Sequence, residues 1–94
     1  MEIKLKDKKF NLKYNNKALF KIEKETGIGI IQLFQDESKL QQISILFTVV
    51  WAGIQDEISF DEFSNIADAS EVMELLPSIV KEIGAVFDSG GKKK

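Results

Sequence analysis

The stretch from Leu40 to Gln55, LQQISILFTVVWAGIQ, constrains the fold more than any other. It carries no charge in a chain that is 30% charged, so little holds it in water. It is shorter than the ~20 apolar residues a bilayer span requires, and Gln41, Gln42, Ser44 and Thr48 break it with polar groups. Leu40, Ile43, Leu46, Phe47, Val50 and Trp51 recur at three- and four-residue steps, the helical period. Ile45 and Val49 widen that stripe over most of the circumference. The pattern predicts a buried helix over residues 40–53, closed by Gly53 in the left-handed conformation, with the rest of the chain wrapped around it.

A chain of 94 residues buries about two-thirds of its unfolded surface, enough for one core and no enzyme-sized cleft. One globular domain over residues 1–89 is expected, followed by a disordered basic tail over 90–94. The chain has no cysteine, which removes disulfides and thiolate chemistry. It has no histidine, which removes the commonest general base and the commonest zinc ligand. Met1 to Lys9 is polar and charged, with no apolar run behind it, so no signal peptide is expected. The net charge of -2 is unevenly spread. Residues 1–25 carry eight lysines against four acids, residues 26–91 two lysines against eleven acids, and the last three residues are all lysine. Arginine, the residue best suited to bidentate contacts with phosphate and bases, is missing altogether.

Along the chain, Ile3 and Leu5 alternate with Glu2, Lys4 and Lys6, and Phe10, Leu12 and Tyr14 alternate with polar residues over Lys9 to Tyr14. Two period-two runs around Asp7-Lys8 predict a β-hairpin with one buried face. Asn15-Asn16 offers a cap for a helix over Lys17 to Thr26, with Ala18, Leu19 and Ile22 inward and Gly27 closing it. Ile28 to Phe34 is ambiguous between strand and helix, and an irregular turn followed by one or two helical turns fits it best. Asp36 or Ser38 begins the central helix. Ser59 with Glu62 matches a capping box for a short helix to about Ala67. Asp68 or Ser70 caps the last helix, which Pro77 either kinks or restarts. Together these elements predict an α+β domain that is mainly α: an N-terminal β-hairpin packed on a bundle of four to five short helices.

No constellation of residues points to catalysis, a cofactor or a metal. The run Asp56-Glu57-Ile58-Ser59-Phe60-Asp61-Glu62 is similar to the second half of a calcium-binding EF-hand loop. Placing Glu62 last puts Trp51 and Gly53 at the first two ligand positions, where neither supplies a side-chain oxygen. A capped helix start explains the same residues. The acidic pairs Asp56/Glu57, Asp61/Glu62 and Glu71/Glu74 sit at predicted helix starts, where negative charge is locally favourable. Lys4, Lys6 and Lys13 lie near Phe10, Tyr14 and Phe20, but alternation sends strand lysines and strand aromatics to opposite faces. That describes a solvated face over a core and not a nucleic-acid surface. On the last helix, Ile79, Ile83 and Phe87 belong to a stripe wide for a terminal helix on so small a core, and they are the expected partner-binding residues.

Three groups of residues carry a resemblance. They are the hairpin running into Lys17-Ala18-Leu19-Phe20-Lys21-Ile22-Glu23-Lys24-Glu25-Thr26-Gly27, the uncharged helix ending Trp51-Ala52-Gly53-Ile54, and Glu57-Ile58-Ser59-Phe60-Asp61-Glu62-Phe63 after it. Over about residues 3–70 the chain resembles a phage tail assembly chaperone, from a long-tailed phage or prophage of a Gram-positive bacterium. The resemblance implies a small cytoplasmic protein, absent from the mature virion, with no enzyme activity and no cofactor. It implies a tape-measure protein as partner, kept soluble during tail-tube assembly, with the tail-tube protein a further one, and neither nucleic acid nor membrane. Gly-Lys-Lys-Lys at 91–94 reads either as a flexible solvated end or, as the resemblance implies, as the product of a slippery purine run, this chain then being the short unshifted form and a longer one sharing residues 1 to about 92. The other reading of the same features is a small phage- or prophage-encoded regulatory or inhibitor protein that binds a host protein.

Overall fold

Strand β1 (Glu2–Leu5) pairs antiparallel with β2 (Lys8–Asn11), with Ile3 opposite Phe10 and Leu5 opposite Lys8. The computed structural model describes the backbone of residues 1–91 and their side chains other than those of Glu37 and residues 87–91. The hairpin connection is Lys6-Asp7, one residue earlier than the sequence suggests. Lys6 and Asp7 have φ of 47° and 69°. Two consecutive left-handed residues make the primed turn whose twist matches that of paired strands. Neither is glycine, so each carries a steric cost of roughly 1–2 kcal/mol. Alternation buries Ile3, Leu5, Phe10 and Leu12 and leaves Glu2, Lys4, Lys9 and Asn11 in solvent.

Helix α1 (Asn16–Thr26) starts where the sequence predicts, with the Asn15 side chain accepting from the Ala18 N–H. Gly27 closes it at φ 73°. The ambiguous stretch after it becomes helix α2 (Ile30–Gln35), whose start has no side-chain cap of its own. Instead the Glu23 carboxylate, on α1, accepts from the Ile30 N–H at 2.8 Å. The uncharged stretch makes two helices in place of one. Asp36 caps the short α3 (Glu37–Leu40), the chain turns at Gln41-Gln42, and α4 (Ile43–Gly53) follows. Both glutamines face water, so the turn falls where the stretch loses least by leaving the core. Leu46, Val49 and Val50 of α4 are completely buried, and the helix packs on α1, α3, the short α5 (Phe60–Ile66) and α6 (Ala69–Glu74). The Ser59 hydroxyl caps α5 by accepting from the Glu62 N–H, and Asp68 caps α6.

Leu75 separates α6 from α7 (Leu76–Gly91), which carries Pro77 in its first turn, where a missing N–H leaves no bond unmade. The fold is the expected α+β domain, mainly α, with the hairpin on the helices. It has seven helices among the described residues because the central and final stretches each divide. Phe63 of α5 sits at the middle, edge-to-face with Phe10 at 6.4 Å and with Phe47 at 5.8 Å between ring centroids. Helix α7 is continuous to Gly91, and the lysines of the expected tail lie outside the described residues.

Gly53 ends α4, but not as a left-handed cap. The chain leaves through Ile54 in extended conformation, at φ -68° and ψ 128°. Glycine is needed because the Tyr14 ring lies across it: a Cβ at Gly53 would sit 2.6 Å from the ring Cζ and 2.9 Å from the hydroxyl oxygen. That hydroxyl donates to the Val49 carbonyl at 3.0 Å, one turn earlier in α4. Burial, and then the negative charge of Glu82, push the Tyr14 pKa above the ordinary phenol range, so it stays a protonated donor. Beyond it, Ile54 bridges Leu12 in antiparallel fashion. The Lys13 N–H donates to the Gly53 carbonyl at 2.8 Å, and the Gln55 N–H to the Asn11 carbonyl at 2.9 Å. The exit from α4 thus forms a stub of third strand against the hairpin.

Two stability outcomes follow from this geometry. Gly→Ala in a helix interior ordinarily gains up to about 1 kcal/mol. Gly84→Ala in α7, where a Cβ meets nothing within 4 Å, should show that gain as a higher urea midpoint. Gly53→Ala should instead lose about 1–3 kcal/mol through overpacking against Tyr14, and equal effects at the two sites would refute the close approach. At the turn, Lys6→Asn with Asp7→Gly should raise stability by about 1 kcal/mol, measured by thermal unfolding, because both new residues accept positive φ.

Candidate functional site

The last turn of α4 places Trp51 half-buried at the surface. Its Nε1–H donates to the Ile58 carbonyl at 2.8 Å, and its ring meets Phe60 edge-to-face at 5.5 Å. From α1, the Lys21 ammonium stands 3.9 Å from the centroid of the same ring. These three contacts hold the segment after α4 alongside α1 and leave a groove of about 430 Å³ between them. Lys17 and Lys21 line one side, Asp56 and Glu57 the other, and the buried side chains of Ala18, Ala52 and Ile54 form the base. Opposed ammonium and carboxylate groups over an apolar base suit an extended polar segment or a dipolar ligand. Asp56 and Glu57 are exposed.

The other acidic residues are dispersed. Asp61 and Glu62 lie in the first turn of α5, Glu71 and Glu74 on α6. Trp51 and Gly53 are helical residues of α4, so the run from Trp51 to Glu62 is half helix and not a twelve-residue ligand loop. Among the described residues no three histidine, cysteine, aspartate or glutamate side chains converge as metal ligands. Glu71 is half-buried, and its Oε1 is buried with no hydrogen-bond partner among the described residues. On the hairpin, Phe10 and Tyr14 point inward while Lys4, Lys6 and Lys13 are in solvent.

The expected partner-binding stripe is mostly core. Ile79 is 1% and Ile83 0% exposed, so these two residues do not form a free docking surface. Both side chains belong to the domain's own core. The side chain of Phe87, the third residue of that set, lies outside the described residues. The large apolar side chains most open to solvent are Phe20 on α1, 67% exposed, and Ile31 on α2, 61% exposed, with Ile43, Met73 and, on α7 itself, Val86 less so. A shallow apolar cleft of about 250 Å³ also opens between Leu40 and the start of α7 at Leu76, Pro77 and Val80. Phe20 was legible in principle, because it stands at helical spacing between Lys17 and Lys24 and so shares their solvent face. Ile31 was not, because the sequence leaves its segment ambiguous.

No helix among the described residues is long and apolar enough to cross a membrane. Compared with protein-family models, with curated proteins and with solved structures, the chain matches none.

The burial of the α7 stripe has a direct test. Ile83→Asp should unfold the domain, since an unpaired carboxylate in the core costs several kcal/mol. Val86→Asp, one turn on and exposed, should leave the circular dichroism spectrum and melting temperature nearly unchanged. A folded Ile83→Asp variant would place α7 away from the core.

Proposed function

We propose that this chain is a tail assembly chaperone of a long-tailed phage or prophage, acting in the host cytoplasm. On this reading it binds the tape-measure protein and keeps it soluble until tail-tube subunits assemble around it. The observation that carries the reading is the set of large apolar side chains left in solvent on helices of a domain whose core is already filled, Phe20 and Ile31 foremost. An aromatic and a β-branched side chain that the core does not use favour a second surface that desolvates them. The resemblance of the hairpin, the uncharged helix and the capped α5 to tail assembly chaperones supports the same partner. A long helical protein offers apolar faces that side chains on short exposed helices can cover. The protein so read does no chemistry, and its work is to cover another chain's surface.

The test is co-expression with the tape-measure protein of the same phage or prophage. The tape-measure protein should move from the pellet to the soluble fraction and co-purify with this chain. Phe20→Asp with Ile31→Asp should abolish that effect while leaving the fold intact, because neither side chain contributes to the core. A tape-measure protein equally insoluble with and without the chain would sink the reading.

A further inference from the structure

Met1 and Leu12 exchange both backbone hydrogen bonds, at 2.7 and 2.9 Å, which fixes the phase of the hairpin ladder. Bonded and non-bonded pairs alternate in an antiparallel ladder. Ile3 with Phe10 and Leu5 with Lys8 are therefore bonded pairs, while Glu2 with Asn11 and Lys4 with Lys9 are not. The N–H and C=O groups of Glu2 and Lys4 consequently point away from β2, toward the outer edge of the sheet. Among the described residues no backbone hydrogen bond engages them. Among the described residues the sheet has two strands, and β1 is its outer edge, whereas β2 is partly covered by Ile54.

The side chains on that edge carry a second pattern. Glu2 and Lys4 are both exposed and share the solvent face. Lys4 stands directly opposite Lys9, a like-charge pair that costs the isolated hairpin stability, while Glu2 stands opposite the neutral Asn11. We propose that β1 is a dimerisation edge whose occupant is β1 of a second copy of this chain, running antiparallel about a two-fold axis through Ile3. That axis sets Glu2 opposite the second copy's Lys4 and Lys4 opposite its Glu2. These are the residues whose backbone groups face outward, so each cross-copy pair exchanges two backbone hydrogen bonds as well as opposite charges. The two hairpins become one four-stranded sheet. Along each row of its solvent face Lys9, Lys4, the second copy's Glu2 and its Asn11 follow one another, so the repelled Lys4 gains a carboxylate on its open side. Ile3 meets Ile3 at the axis on the core-facing side, so one apolar layer runs through both domains. A one-residue change of register would bring solvent-facing side chains opposite core-facing ones, so the pairing specifies its own register.

The experiment is sedimentation velocity on the full chain over a concentration series, with charge variants. The native chain should dimerise, and rising salt should weaken the dimer. Glu2→Lys and Lys4→Glu each create two like-charge pairs at the axis, and each should weaken dimerisation by at least about tenfold. The double variant Glu2→Lys with Lys4→Glu restores both opposite-charge pairs with their senses exchanged, and should recover the dimer. Lys4→Glu also sets a glutamate opposite Lys9, so its monomer should melt no lower than the native monomer, which separates lost association from lost folding. Glu2→Lys faces only Asn11 within its own hairpin and provides the same test independently. A native chain still monomeric at about 1 mM overturns the proposal. So do single variants that dimerise like the native chain, or a double variant that stays monomeric.

Discussion

The close approach of the Tyr14 ring to the bare backbone of Gly53 sets the spacing on which the other contacts depend. Tyr14 ends the hairpin segment and Gly53 ends the buried helix, so their contact fixes how far one lies from the other. The hydroxyl bond to Val49 sets the rotation of the ring on the helix, and the Leu12–Ile54 bridge sets the direction of the strands. With those three constraints in place Phe10 reaches Phe63, and Phe63 in turn reaches Phe47 of α4. An isolated two-stranded hairpin is marginal in water. Here its stability comes from a helix that Tyr14 reaches 35 residues later, so hairpin and α4 should form as one cooperative unit.

Much of this architecture is legible in the amino-acid order because it rests on local rules. Alternation over Glu2 to Tyr14 gives the hairpin, and Asn15, Gly27, Ser59 and Asp68 mark helix ends with their own side chains or conformational freedom. What escapes the sequence depends on partners distant along the chain. Glu23 starts α2 from seven positions upstream, a cap that no local motif announces. Gly53 looks like a helix terminator, since a glycine required by a neighbouring ring is spelled the same way as one required by its own dihedral angles. The Lys6-Asp7 turn lacks the glycine that usually marks left-handed pairs.

The same distinction governs the surfaces. A helix with apolar residues at three- and four-residue steps buries them against something, but periodicity is silent about whether that is its own domain or another molecule. On α7 the answer is the domain itself, through Ile79 and Ile83. Phe20 lies off the inward face of α1 as a single apolar residue among lysines, and Ile31 falls in an apolar run whose helical period the sequence leaves ambiguous. The strand edge is less visible still. Its self-complementarity depends on which backbone groups point outward, a phase that only the paired hairpin defines.

The arrangement around Trp51 has an optical consequence. This is the chain's single tryptophan, and its indole is at once hydrogen-bonded to Ile58, stacked edge-on by Phe60 and capped by the Lys21 ammonium. A charge held against one face of an indole shifts the energy of its excited dipole, and the same lysine lines the groove between α1 and the segment after α4. Any molecule that enters the groove and draws Lys21 toward itself therefore changes the emission of the protein without an added dye. The domain carries an intrinsic fluorescent gauge of groove occupancy, positioned by the same contacts that hold the groove open.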